Sequence, residues 1–162
     1  MKKYKMLILL FMVLNFTSPF LAQWVHTAGP GGGPILSLVV KGTNLFAGTD
    51  IGIFLSTNNG TSWKAINTGL MGWDYRALAV NGSNLFAGSG GRFGGEGVSL
   101  STNDGNSWSS VNGGLTNTNV SALAVSGDNL FAGTSAGQYS GPGGGVFLST
   151  NNGISWTAVN TG

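Results

Sequence analysis

The sequence predicts an all-β fold of repeated four-stranded antiparallel units, and three observations carry that expectation. The first is an octapeptide, Ser56-Thr57-Asn58-Asn59-Gly60-Thr61-Ser62-Trp63. It returns as Ser101-Thr102-Asn103-Asp104-Gly105-Asn106-Ser107-Trp108 and as Ser149-Thr150-Asn151-Asn152-Gly153-Ile154-Ser155-Trp156. The second is Asn44-Leu45-Phe46-Ala47-Gly48, repeated from Asn84 to Gly88 and from Asn129 to Gly133. The third is composition: 29 of 162 residues are Gly, 7% are charged and none is Cys. Such a chain suits tight turns every ten or so positions, and it excludes disulfides and thiolate metal sites.

In chain order, Met1 to Lys5 is basic and Met6 to Leu14 is apolar. That run is too short to span a bilayer and has the proportions of a secretory leader. Residues 1–22 are therefore expected to be a signal peptide cleaved after Ala22. The remainder is expected to be secreted, periplasmic or cell-surface, with no membrane span after cleavage. Lys2, Lys3 and Lys5 leave with the leader. Lys41, Lys64, Arg76 and Arg92 then face Asp50, Asp74, Glu96, Asp104 and Asp128, a net charge of −1. Nucleic-acid binding needs clustered cations and is not expected.

Residues 24–28, opening with Trp24, align with Trp63 onwards as a lone fourth strand. The first full unit then offers apolar segments at 36–40, 44–49, 52–57 and 62–67. Their length and their Val, Leu, Ile and Phe content favour strands. The same pattern places units at about 35–68, 76–113 and 120–161. Four antiparallel strands with a period in the forties is the size of a β-propeller blade. First strands carrying the small residues Ser37, Ala77, Ala79, Ala122 and Ala124 would line the central channel, with the Trp-bearing strands outermost. Three blades are below the usual minimum. Residues 23–162 are therefore expected to be a partial propeller arc, a fragment of a longer chain, and prone to self-association through its exposed faces.

Each octapeptide reads as a hairpin tip. Asn58, Asn103 and Asn151 can bond backbone groups nearby. Gly60, Gly105 and Gly153 can take a positive φ. Trp63, Trp108 and Trp156 are apolar anchors whose indole N–H needs a partner. With Ser56, Ser101 and Ser149 these are the expected structural residues. The pattern resembles the Asp-box, or bacterial neuraminidase repeat, Ser-x-Asp-x-Gly-x-Thr-Trp, found between the third and fourth strands of a propeller blade. The resemblance covers residues 24 to 162. It departs by placing Asn for Asp in all three copies, which removes a charge and implies a somewhat weaker turn. The chain also looks like photosystem II assembly-factor-like propellers and extracellular repeat proteins of gliding-type bacteria. The sialidase side of the resemblance implies a three-Arg cluster, a Tyr–Glu nucleophile pair and an Asp acid. Two Arg remain after leader removal, so that cluster cannot be built.

Strand alternation puts the second-to-third-strand loops and the fourth-to-first-strand connections on one face. Variable loops on a rigid scaffold carry binding residues. Asp50, Trp73, Asp74, Tyr75, Arg92, Glu96 and Tyr139 are therefore the expected ligand face, with Arg76, Phe93, Gln138 and the Gly29–Pro34 loop beside them. Aromatic residues next to an Arg and carboxylates suit a carbohydrate or protein ligand. No catalytic residue, cofactor or metal site is expected: His26 is the only His, and the glycine runs lack a P-loop Lys. The leading expectation is a non-enzymatic binding or scaffold module. The alternative is a fragment of a sialidase- or xyloglucanase-like glycoside hydrolase with its catalytic residues mostly in other blades.

Overall fold

A computed structural model describes residues 29–31, 33–137 and 144–160. The expected signal peptide, the lone strand at 24–28, His26, Gln138 and Tyr139 lie outside the described residues. Among the described residues, twelve strands form three four-stranded antiparallel sheets in sequential order. The first sheet holds β1 (Ile35–Lys41), β2 (Asn44–Thr49), β3 (Ile53–Ser56) and β4 (Lys64–Ala65). The second holds β5 (Tyr75–Asn81), β6 (Asn84–Ser89), β7 (Gly97–Ser101) and β8 (Ser109–Ser110). The third holds β9 (Val120–Ser126), β10 (Asn129–Thr134), β11 (Gly145–Ser149) and β12 (Thr157–Ala158). Among the described residues the architecture is all-β with no closed barrel, a partial propeller-like arc.

Register repeats with the sequence. Leu38 sits opposite Ala47 and Val40 opposite Leu45. Leu78 with Ala87 and Val80 with Leu85 repeat the pairing in the second sheet, as do Leu123 with Ala132 and Val125 with Leu130 in the third. Because side chains alternate across a strand, this register sends two apolar sets to opposite faces. Both faces of the middle sheet are used. Its Leu78, Leu85, Ala87 and Trp108 join Phe46, Ile53 and Ile66 of the first sheet. Its Ala79, Phe86 and Val98 join Leu130, Ala132, Phe147 and Trp156 of the third. Successive first strands are neighbours, β1 beside β5 and β5 beside β9. The Ser37 hydroxyl donates to the Tyr75 carbonyl at 2.8 Å across that inner junction. Gly48 is required there, since a Cβ would lie 2.2 Å from the same carbonyl.

The octapeptide turns share one hydrogen-bond pattern. In the second copy, Ser101 Oγ accepts from the Gly105 N–H at 2.8 Å and donates to Asn103 Oδ1 at 2.9 Å. Asn103 Oδ1 also accepts from the Ser107 N–H, and Asn103 Nδ2 donates to Ser107 Oγ, both at 2.9 Å. The reach is thus four residues on. The amide donor supplies a bond that a carboxylate could not donate, so the Asn leaves no gap in the turn. Gly60, Gly105 and Gly153 have φ near +80 (83, 81 and 82), and the residue before each is also left-handed: Asn59 at 54, Asp104 at 56 and Asn152 at 58. Asn and Asp tolerate that region better than other side chains.

The fourth strands are shorter than the 62–67 segment predicts because an Asn side chain completes the edge. Asn67 Oδ1 accepts from the Ile53 N–H at 2.8 Å, Asn112 Oδ1 from Val98 at 2.7 Å and Asn160 Oδ1 from Val146 at 2.6 Å. Gly52, Gly97 and Gly145 leave room for these amides, each lying within 2.4 Å of where a Cβ would stand.

Candidate functional site

The β6–β7 loop meets the connections entering β5 and β9 at one end of the arc, opposite the octapeptide turns. A cleft of about 330 Å³ there is lined by Gly72, Trp73, Asp74, Phe93, Glu96 and Thr118, among others. Its walls come from three separate segments held in place by backbone bonds. Gly91 and Gly94 exchange reciprocal N–H to carbonyl bonds at 3.0 and 3.2 Å, closing a tight tip that presents Arg92 and Phe93. The Arg92 guanidinium lies 5.7 Å from the Phe93 ring centroid, within cation–π range. Glu96 is fixed through its backbone, its N–H on Ser89 Oγ at 2.8 Å and its carbonyl on Asn112 Nδ2 at 2.7 Å. Its side chain is exposed.

Asp74 adopts φ 52, a left-handed geometry uncommon outside Gly that Asp enters more readily than most side chains. The Asp74 N–H bonds the Asp50 carbonyl at 3.3 Å, the Gly90 N–H bonds the Asp74 carbonyl at 3.1 Å, and the carboxylate pairs with Arg76 at 3.4 Å. Gly91 leaves room for the Asp74 carboxylate, whose Oδ2 lies 2.2 Å from where a Cβ would stand. This bend leaves Trp73 70% exposed, the same as Phe93.

The remaining expected face residues are placed differently. Tyr75 is buried beneath the cleft, where its hydroxyl oxygen accepts from the Gly72 N–H at 3.1 Å. Burial raises its phenol above the ordinary value, the Gly72 bond opposes this, and the charge of Glu96 adds to it. Asp50 anchors Asp74 through its carbonyl, and its own Oδ1 is buried without a hydrogen-bond partner. Arg92 also borders an adjoining hollow of about 230 Å³ with Arg76, Asn119 and Ser135. Thr118 is not among the residues the sequence singled out; only the β8–β9 connection's return to this end could have flagged it. Among the described residues no group of three His, Cys, Asp or Glu side chains gathers as metal ligands. No helix among them is long and apolar enough to cross a membrane. The cleft can stack an apolar ring face on two aromatic side chains and accept hydroxyl hydrogen bonds on two carboxylates.

No family model and no curated protein match the chain. Solved structures do. An ancestral GH74 enzyme is 28% identical with a TM-score of 0.60, over 79% of this chain and 18% of that one. The GH74 xyloglucanase from Xanthomonas campestris is 16% identical with a TM-score of 0.52, over 73% of this chain and 20% of that one, a likeness that shows the fold alone. The chain is a repeat-containing β-sheet arc similar in fold to part of these GH74 structures, and it spans about a fifth of their length. This corrects two expectations. The architecture is related to GH74 rather than to sialidases in particular. The leaning toward a non-enzymatic module is overturned, since the 28% identical structure is an enzyme.

Proposed function

We propose that this chain supplies part of the glycan-binding cleft of a secreted glycoside hydrolase of the GH74 type, acting on a β-glucan such as xyloglucan. The observation that supports it is the pairing of exposed Trp73 and Phe93 with the carboxylates of Asp74 and Glu96 in one cleft. A pyranose ring has an apolar C–H face and a rim of hydroxyls. The two aromatic rings offer stacking surfaces for the first, and the carboxylates offer acceptors for the second. Glycoside hydrolysis in most families uses two carboxyl groups, one protonating the leaving oxygen and the other serving as base or nucleophile. Asp74 and Glu96 are the carboxylates this chain can bring to such a site, with further sheets completing it.

The test is binding of xyloglucan oligosaccharides to the chain by calorimetry, alongside release of reducing ends. Saturable binding that falls about tenfold or more in Trp73→Ala is expected, about 1.4 kcal/mol. Equal affinity in wild type and Trp73→Ala, or no binding to any β-glucan, rejects the reading.

A further inference from the structure

Both arginines of the sequence, Arg76 and Arg92, border one hollow beside the cleft. They reach it from different elements, Arg76 from β5 and Arg92 from the tip of the β6–β7 loop. The hollow's other polar lining, Asn119, Ser121 and Ser135, is held from within. Asn117 Oδ1 accepts from the Asn119 N–H at 2.9 Å, the Ser135 N–H donates to the Asn119 carbonyl at 2.9 Å, and Ser121 Oγ donates to the Gly133 carbonyl at 3.2 Å. The guanidiniums are less committed. Arg92 makes no ion pair among the described residues, and its neighbour is the Phe93 ring. Arg76 has one contact of 3.4 Å, to Asp74 Oδ2, with 45% of its side chain exposed. An arginine carries five N–H donors and stays charged at any working pH, so one long contact leaves most of them open. Two guanidiniums thus stand against one carboxylate, a net positive charge at the rim. Glu96 lines the cleft but not the hollow, while Gly91 borders both, so no side chain walls one from the other there.

We propose that the hollow is an anion-binding subsite that takes the carboxylate of an acidic sugar, a uronate carried on the glycan whose neutral rings stack in the cleft. The glycan as carrier rests on the reading of the cleft given above; the cation pair does not. A planar guanidinium fork matches the two oxygens of a carboxylate, which a lysine ammonium meets only as a point charge. Guanidiniums from two separate segments can meet one carboxylate from two directions. Asp74 stands at the boundary, lining the cleft while its Oδ2 holds Arg76. An incoming carboxylate therefore shares Arg76 with Asp74 and has Arg92 to itself, so Arg92 supplies the larger part of the selectivity. Both arginine side chains are exposed, which puts the contact in reach of solvent ions and makes its strength fall with salt. The consequence is discrimination among glucans: a chain bearing a uronate at this position is held more tightly than its neutral counterpart.

Calorimetry on the whole chain compares cellobiouronic acid, a glucose carrying a β-linked glucuronate, with cellobiose, its neutral counterpart. The acid is expected to bind about tenfold more tightly at low salt, the worth of one charge-assisted pair. That preference is expected to shrink several-fold in about 0.5 M sodium chloride, a readout that needs no variant. Arg92→Gln is expected to bring the ratio of the two affinities close to one, and Arg76→Gln to lower it. Circular dichroism matching the wild type confirms that the variants fold. Glucose 6-sulfate measured against glucose separates the anions: a sulfate preference larger than the uronate one overturns the carboxylate. Equal affinities in the wild type, a preference that survives both substitutions, or one indifferent to salt overturns the subsite, as does binding of neither disaccharide. If Trp73→Ala leaves both affinities unchanged while the preference for the acid still depends on Arg92, the cleft reading fails and the anion subsite stands.

Discussion

The Ser101 hydroxyl bonds both sides of its turn, accepting from the Gly105 N–H and donating to Asn103 while 1% exposed. Ser101→Ala leaves a buried N–H without a partner, so a loss of about 1–3 kcal/mol is expected, read as a lower urea midpoint at unchanged slope. The positive φ of Gly105 was legible because Gly is the residue that takes that conformation freely. The left-handed Asp104 before it was not, because Asp and Asn occur in many backbone states and their identity selects none. Trp108 marks another limit of the same kind. Its size announced an anchor, but its acceptor, the Ile66 carbonyl, lies 42 residues away and no local pattern names it. Trp108→Ala is expected to cost about 3–5 kcal/mol in the same measurement, and Trp108→Phe only the about 1–3 kcal/mol of the lost bond.

Among the strands, the inner three of each unit were plain in the sequence because β-branched and aromatic residues alternate there between Gly and Asn turns. The fourth was overread. β8 is two residues long, and Asn112 takes over where the ladder stops, bonding the Val98 N–H and the Glu96 carbonyl together. An Asn four residues after each Trp was visible in the sequence, but its partner is a backbone N–H on another strand. Asn112→Ala removes both bonds. Faster hydrogen exchange at the Val98 amide is expected, together with weaker glycan binding if the Glu96 backbone loosens. An unchanged Val98 exchange rate contradicts the role assigned to Asn112. The cleft itself was half legible. The loops' shared end follows from strand alternation, so Trp73, Asp74 and Glu96 could be named. The inward turn of Tyr75 depends on a bulge between Tyr75 and Ala77 that composition does not announce.

Across the whole molecule, stability lies in the junctions between sheets more than in any one sheet, since the large buried side chains cluster there. Tyr75 sits in the first junction with its phenol raised by burial. This links global stability to pH in one direction. Below about pH 10 the phenol is protonated both folded and unfolded, and its contribution is fully present. Above that value the unfolded chain releases the proton while the folded chain holds it, so the unfolded state binds fewer protons and stability falls. The loss continues until pH passes the raised folded value. Thermal melting points are therefore expected to decline more steeply above pH 10 in wild type than in Tyr75→Phe. Phe keeps the apolar ring, gives up the bond from Gly72 and cannot ionise. Its melting point should start lower near neutrality and converge on the wild type as pH rises. Parallel curves for the two proteins would show that the Tyr75 hydroxyl is open to solvent, and would remove it from the junction on which the arc depends.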